Sequence, residues 1–138
     1  MSKNTAKAVG AKISGLKLLV IDEISMINLE TLAEISSRQI EAMLSQTDDE
    51  SDRNVISSQL FGGIHVLITC DFYQLKPIQG EAIYTESPKY IKSMAGLKIW
   101  HSLNEYFELT ENTRFKNDLT NIHDSHEYVF EWSQKRKS

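Results

Sequence analysis

The sequence predicts an α/β domain with a parallel sheet flanked by helices. Two short apolar runs, "LKLLVIDE" and "IHVLITCD", each end in carboxylates and are separated by an amphipathic stretch. A third run, "EYFELT", follows a short helical segment. Strand, helix, strand, short helix, strand implies parallel pairing with right-handed crossovers. In such sheets chemistry gathers at the carboxyl ends of the strands. The polar residues that stand out fall there: Asp22 and Glu23 after the first run, Asp71 after the second, and Arg114 beyond the third.

Each element has its own justification. Residues 1–15 are small and polar, with Gly10 and Gly15, and read as a loop or frayed lead-in segment. Leu16 to Ile24 is apolar nearly throughout, as expected for a strand covered on both faces. Asn28 suits a helix N-cap with Glu30 in the first turn. Leu29, Leu32, Ala33, Ile40, Met43 and Leu44 then share a helical face to about Ser45. "QTDDESDRN", residues 46–54, has four acids within five residues and reads as a solvated loop. "FGG" turns into the second strand, 64–70, and "DFYQLKPIQG" is a loop punctuated by Pro77 and Gly80. Residues 89–104 hold a short helix ending near Trp100, and 105–110 is a third strand candidate. The pattern weakens from Asn112 onward, with a helix possible late in the tail.

Bulk properties narrow the function classes. The 138 residues suit one domain or a piece of one, and 41% hydrophobic with 25% charged residues allows a packed core. A net charge of −4 argues against a free-standing nucleic-acid module. A single cysteine, Cys70, cannot form an internal disulfide, which points to a reducing intracellular setting. No apolar run approaches a membrane span or a secretory signal. His65, His101, His123 and His126 lack zinc-ligand spacing.

Adjacent carboxylates at a strand end suit a nucleotide-bound magnesium, which proteins hold through one or two carboxylates plus substrate phosphates. A neighbouring Glu can accept a proton from the attacking water. Taken alone, "DE" after apolar residues is more often a solvated strand cap. Gln74, three residues beyond Asp71, could hydrogen-bond both a phosphate oxygen and a water. Arg114 could neutralise charge on a transferred phosphoryl group.

In order and spacing, "LLVIDEISMI", "FGGIHVLITCDFYQLKPIQGEAIY" and "YFELTENTRF" resemble the first motor domain of Pif/RecD-type DNA helicases of superfamily one. The resemblance covers roughly residues 16–116 and leaves 117–138 as a divergent tail. It implies a partial RecA-like P-loop NTPase fold, ATP as substrate with Mg²⁺, and 5′-to-3′ unwinding of DNA in repair, recombination or telomere maintenance. Nucleus or mitochondrion would be the eukaryotic compartments. Carried over, Asp22 would hold magnesium and Glu23 would be the catalytic base. Asp71 and Gln74 would form a loop coupling the γ-phosphate to DNA grip, and Arg114 would touch that phosphate. Ser25 and Met26 would pack; so would Phe72 and Tyr73, in preference to stacking on a base.

There are departures. Cys70 stands where the family usually has Gly, and Lys76 where a second proline is usual. No "GxxxxGK[ST]" occurs: Gly10 and Gly15 have the glycine spacing, but Leu16 follows in place of lysine. The resemblance therefore implies a fragment, inactive in isolation, whose phosphate-loop segment and second RecA-like domain lie elsewhere. The alternatives are a non-catalytic remnant or interaction module that binds no ATP by itself, and a metal-dependent nuclease using Asp22, Glu23 and Asp71.

Overall fold

The computed structural model describes residues 2–72 and 75–109. Helix α1 (Lys3–Ile13) precedes strand β1 (Leu18–Ile21). A 3₁₀ turn (Ile24–Met26) leads to α2 (Leu29–Leu44), then α3 (Glu50–Ser58) and a second 3₁₀ turn (Leu60–Gly63). Strand β2 (His65–Ile68) and helix α4 (Ile91–His101) follow. β1 and β2 pair in parallel, with Leu18 opposite His65 and Ile21 opposite Ile68. This is the parallel α/β arrangement expected, as a two-stranded sheet among the described residues.

The core lies where α2 and α4 meet the sheet. Ile21, Ile24, Leu29, Leu32, Phe61, Ile83, Ile99 and Trp100 form one buried cluster. Trp100 thus anchors packing. The two helices approach closely because α4 carries Gly96 at the contact: a Cβ there would fall 1.9 Å from the Leu29 carbonyl oxygen. α2 begins as expected, with Asn28 Oδ1 accepting the Thr31 N–H at 2.7 Å and Glu30 in the first turn, where an anion favours the helix dipole.

Four expectations need correction. Residues 1–15 are not a loop: Ser2 Oγ accepts the Thr5 N–H at 3.2 Å and starts α1. The small residues are what let α1 pack, since Ala6 and Gly10 are its buried positions. A Cβ at Gly10 would come 2.4 Å from the Ala42 carbonyl oxygen of α2. The acidic stretch is not all loop either. Asp49 caps α3 by accepting the N–H groups of Ser51 (2.8 Å) and Asp52 (3.3 Å). Its neighbours Glu50 and Asp52 sit in the first turn, where negative charge is favourable.

The third correction concerns β1, which is shorter than 16–24 and covered on one side. Leu19 and Ile21 face the core, while Leu18 and Val20 are 48% and 53% exposed. The strand stops because the backbone turns at Glu23 into the left-handed region. Finally, Glu105 opens a second unit of the chain, and its described residues, 105–109, form no strand. Thr110 and the proposed tail helix lie outside the described residues. Among the described residues no helix is long and apolar enough to cross a membrane.

Candidate functional site

The ends of β1 and β2 converge through backbone bonds that continue the parallel ladder past both strands. The Thr69 N–H donates to the Ile21 carbonyl at 3.0 Å, and the Ile24 N–H donates to the Thr69 carbonyl at 3.1 Å. Asp22 and Glu23 lie inside this stitch. Asp22 is exposed. Its Oδ1 accepts the Glu23 N–H at 3.0 Å and also the Thr69 hydroxyl. Thr69 therefore orients the Asp22 carboxylate from the neighbouring strand. The sequence reading passed over Thr69, because nothing in "LITCD" says which face the hydroxyl takes.

Glu23 has φ 53° and ψ 46°, a left-handed conformation rare for a residue with a β-carbon. The turn aims its side chain inward: Oε2 is enclosed and has no hydrogen-bond partner among the described residues. Strained residues of this kind concentrate at functional sites. Ser25, two residues on, is buried as expected, whereas Met26 is half exposed.

From β2 the chain continues through Cys70 to Asp71. Partial withdrawal of the Cys70 thiol from water, although the residue as a whole is exposed, pushes its pKa up to about 11. The charges of Asp71 and then Glu23 act in the same direction. Glu23 and Asp71 thus both act on Cys70, which stands where a glycine was expected. A raised thiol pKa keeps Cys70 protonated and unreactive near neutrality.

Phe72 packs edge-on against Tyr84 and Trp100, with ring centroids 5.8 and 6.1 Å apart. That is the packing role expected of it. Tyr73, Gln74 and Arg114 lie outside the described residues, as do His123 and His126. The structure thus brings Asp22, Glu23 and Asp71 to one end of the sheet.

This donor set suits magnesium held with a phosphate. Among the described residues no three His, Cys, Asp or Glu converge to cage a metal. A magnesium ion bound with a nucleotide needs only one or two carboxylates from the protein. Exposed Asp22, backed by Thr69, meets that requirement.

A family model described as PIF1-like helicase matches residues 2–134, which include Asp22, Glu23, Asp71, Gln74 and Arg114. No curated protein and no solved structure matches the chain.

Proposed function

The chain belongs to the PIF1-like helicase family, and from that premise we propose that it supplies the acid-bearing side of the ATP site in a motor that unwinds DNA 5′ to 3′. The observation that carries the reading is the placement of Asp22, Glu23 and Asp71 just past the ends of the two paired strands, with Asp22 oriented by Thr69 and Glu23 held in a left-handed backbone turn. Asp22 would hold magnesium, which when bound neutralises phosphate charge and orders its oxygens. Glu23 accepts the proton of the attacking water. Asp71 and Gln74 report the phosphate to bound DNA, single-stranded on the tracking side and duplex ahead of it. Arg114 stabilises charge on the phosphoryl group in flight. Such a motor serves repair, recombination or telomere maintenance, in the nucleus or mitochondrion of a eukaryotic host.

A second reading is a non-catalytic interaction module that binds no ATP by itself. It is favoured by one sequence fact: the 138 residues contain no GxxxxGK[ST] cradle for phosphates.

Two measurements test these readings, the second of which separates them. Calorimetric titration of the chain with ATP and Mg²⁺ is expected to give no binding, and a micromolar Kd would mean that the chain holds a phosphate cradle of its own. The chain is then joined to the phosphate-loop segment and second RecA-like domain of a PIF1-like helicase, and ATPase is followed with and without single-stranded DNA. Glu23→Gln is expected to cut hydrolysis by ~10²–10⁴-fold while ATP still binds. Arg114→Ala cuts turnover through lost transition-state charge, by about 10³–10⁵-fold. Gln74→Ala lowers unwinding more than DNA-independent hydrolysis. Hydrolysis at the parent rate by Glu23→Gln overturns the role given to Glu23, and a joined chain that hydrolyses no ATP leaves the interaction module.

A further inference from the structure

We infer that Asn28 is a tether, whose side-chain amide fastens the loop carrying Asp71 to the segment carrying Asp22 and Glu23. The inference rests on the role proposed above for those acids. The two segments leave neighbouring strands and are joined near their start by Asp22 and Thr69. They are joined again at the far end by Asn28. Its Oδ1 accepts the Thr31 N–H at 2.7 Å, capping α2. Its Nδ2 donates to the Gln79 carbonyl at 2.8 Å, at the end of the Asp71 loop.

The surrounding backbone is arranged for this contact. Asn28 and Ala82 pair as an isolated antiparallel bridge. The Leu29 N–H, which α2 itself cannot satisfy, donates to the Glu81 carbonyl at 2.9 Å. Gly80 has φ 81°, and a Cβ there would fall 2.5 Å from Asn28 Nδ2. The loop can approach the amide only because that position carries no side chain. The choice of residue agrees. A cap needs only an acceptor, and Asp or Ser serves as well as Asn. The tether also needs a donor aimed away from the helix, and an asparagine amide offers acceptor and donor together.

Hydrogen exchange of the 138-residue chain, followed by NMR without nucleotide, tests this. A failure here is therefore distinct from a failure of the helicase reading. One Nδ2 proton of Asn28 is expected to exchange more slowly than those of the exposed Asn54 and Asn104. A residue that only caps leaves Nδ2 free, and equal rates overturn the proposal. Asn28→Asp keeps the cap but sets a carboxylate against the Gln79 carbonyl; Asn28→Ser keeps the cap without the reach. Both are expected to retain protection at Thr31 and through α2. Both are expected to speed exchange at Leu29 by roughly two- to tenfold, the worth of one ordinary hydrogen bond. Should Asn28→Asp disturb the helix as a whole, Asn28→Ser decides. Unchanged exchange at Leu29, or equal loss of protection along α2 in both variants, reduces Asn28 to a cap.

Discussion

Glu23 holds a backbone conformation that an L-residue enters at a cost of roughly 1–2 kcal/mol. Its carboxylate oxygen is also enclosed without a partner among the described residues. Glycine adopts the same φ freely but loses more entropy on folding, a cost of about 0.5–1 kcal/mol. Glu23→Gly is therefore expected to stabilise the chain slightly, raising Tm by ~2–4 °C, while destroying the proposed general base. A lowered Tm would show that the Glu23 side chain contributes to packing after all. The place of the acids at the end of β1 was legible in "VIDE", because the apolar run stops there. The left-handed turn was not legible, because a non-glycine residue at positive φ leaves no mark in composition. Asn28 was legible by half: the cap follows from local sequence, whereas the bond to Gln79 depends on how the loop returns.

At the scale of elements, the contact between α2 and α4 sets local propensity against packing. Replacing an interior helical glycine by alanine ordinarily adds about 1 kcal/mol. At Gly96 the new Cβ would meet the Leu29 carbonyl oxygen at 1.9 Å and its carbon at 2.6 Å, both of them backbone. Forcing atoms into a packed contact costs ~1–3 kcal/mol or more, so overpacking wins. Gly96→Ala is expected to lower the urea midpoint with an unchanged m value; a raised midpoint would mean that the helices separate at little cost.

The entry to α4 is held by charge. Glu81 Oε1 accepts the Lys89 N–H at 2.8 Å. That bond holds the Glu81 carboxyl below its ordinary range, and the nearby Ser93 hydroxyl acts in the same direction. Ser93 Oγ does not reach good hydrogen-bond geometry, so the Lys89 amide is the principal contact. A folded pKa below the unfolded one gives stability that is fully present above the unfolded value and is lost as pH falls through the folded one. The parent should thus lose Tm as pH drops below about 4.5, the ordinary value for this group. Glu81→Gln should remove that part of the slope. Parallel Tm–pH curves for the two proteins would exclude the clamp. The helices also show where sequence reading fails by element. α2 declared itself by period and cap, but α1 and α3 did not. The first hides its packing face in Ala6 and Gly10, and the second has no fully buried residue at all.

For the unit formed by residues 1–104, the sheet is the least finished part. The parallel register places Leu18 and Val20 opposite His65 and Leu67, so these four share one face. Leu18, Val20 and Leu67 are 48%, 53% and 50% exposed, while alternate residues Leu19, Val66 and Ile68 pack against the core. The run "LKLLVI" had suggested cover on both faces, and the described residues supply it on one. Among them each strand also has only one partner, so unpaired backbone borders the apolar patch. Surfaces of this composition associate, and open strand edges give them a template. The chain is expected to self-associate at micromolar concentration, seen as an apparent mass that rises with loading in sedimentation velocity. Val20→Thr with Leu67→Thr places a β-branched side chain at both positions while adding polarity to the exposed face. That pair should shift the population toward monomer with little change in far-UV circular dichroism. A parent that sediments as a monomer and melts sharply at every concentration would show that the exposed face does not drive association. In that case the apolar alternation on these strands answers to some contact other than a second copy of the chain.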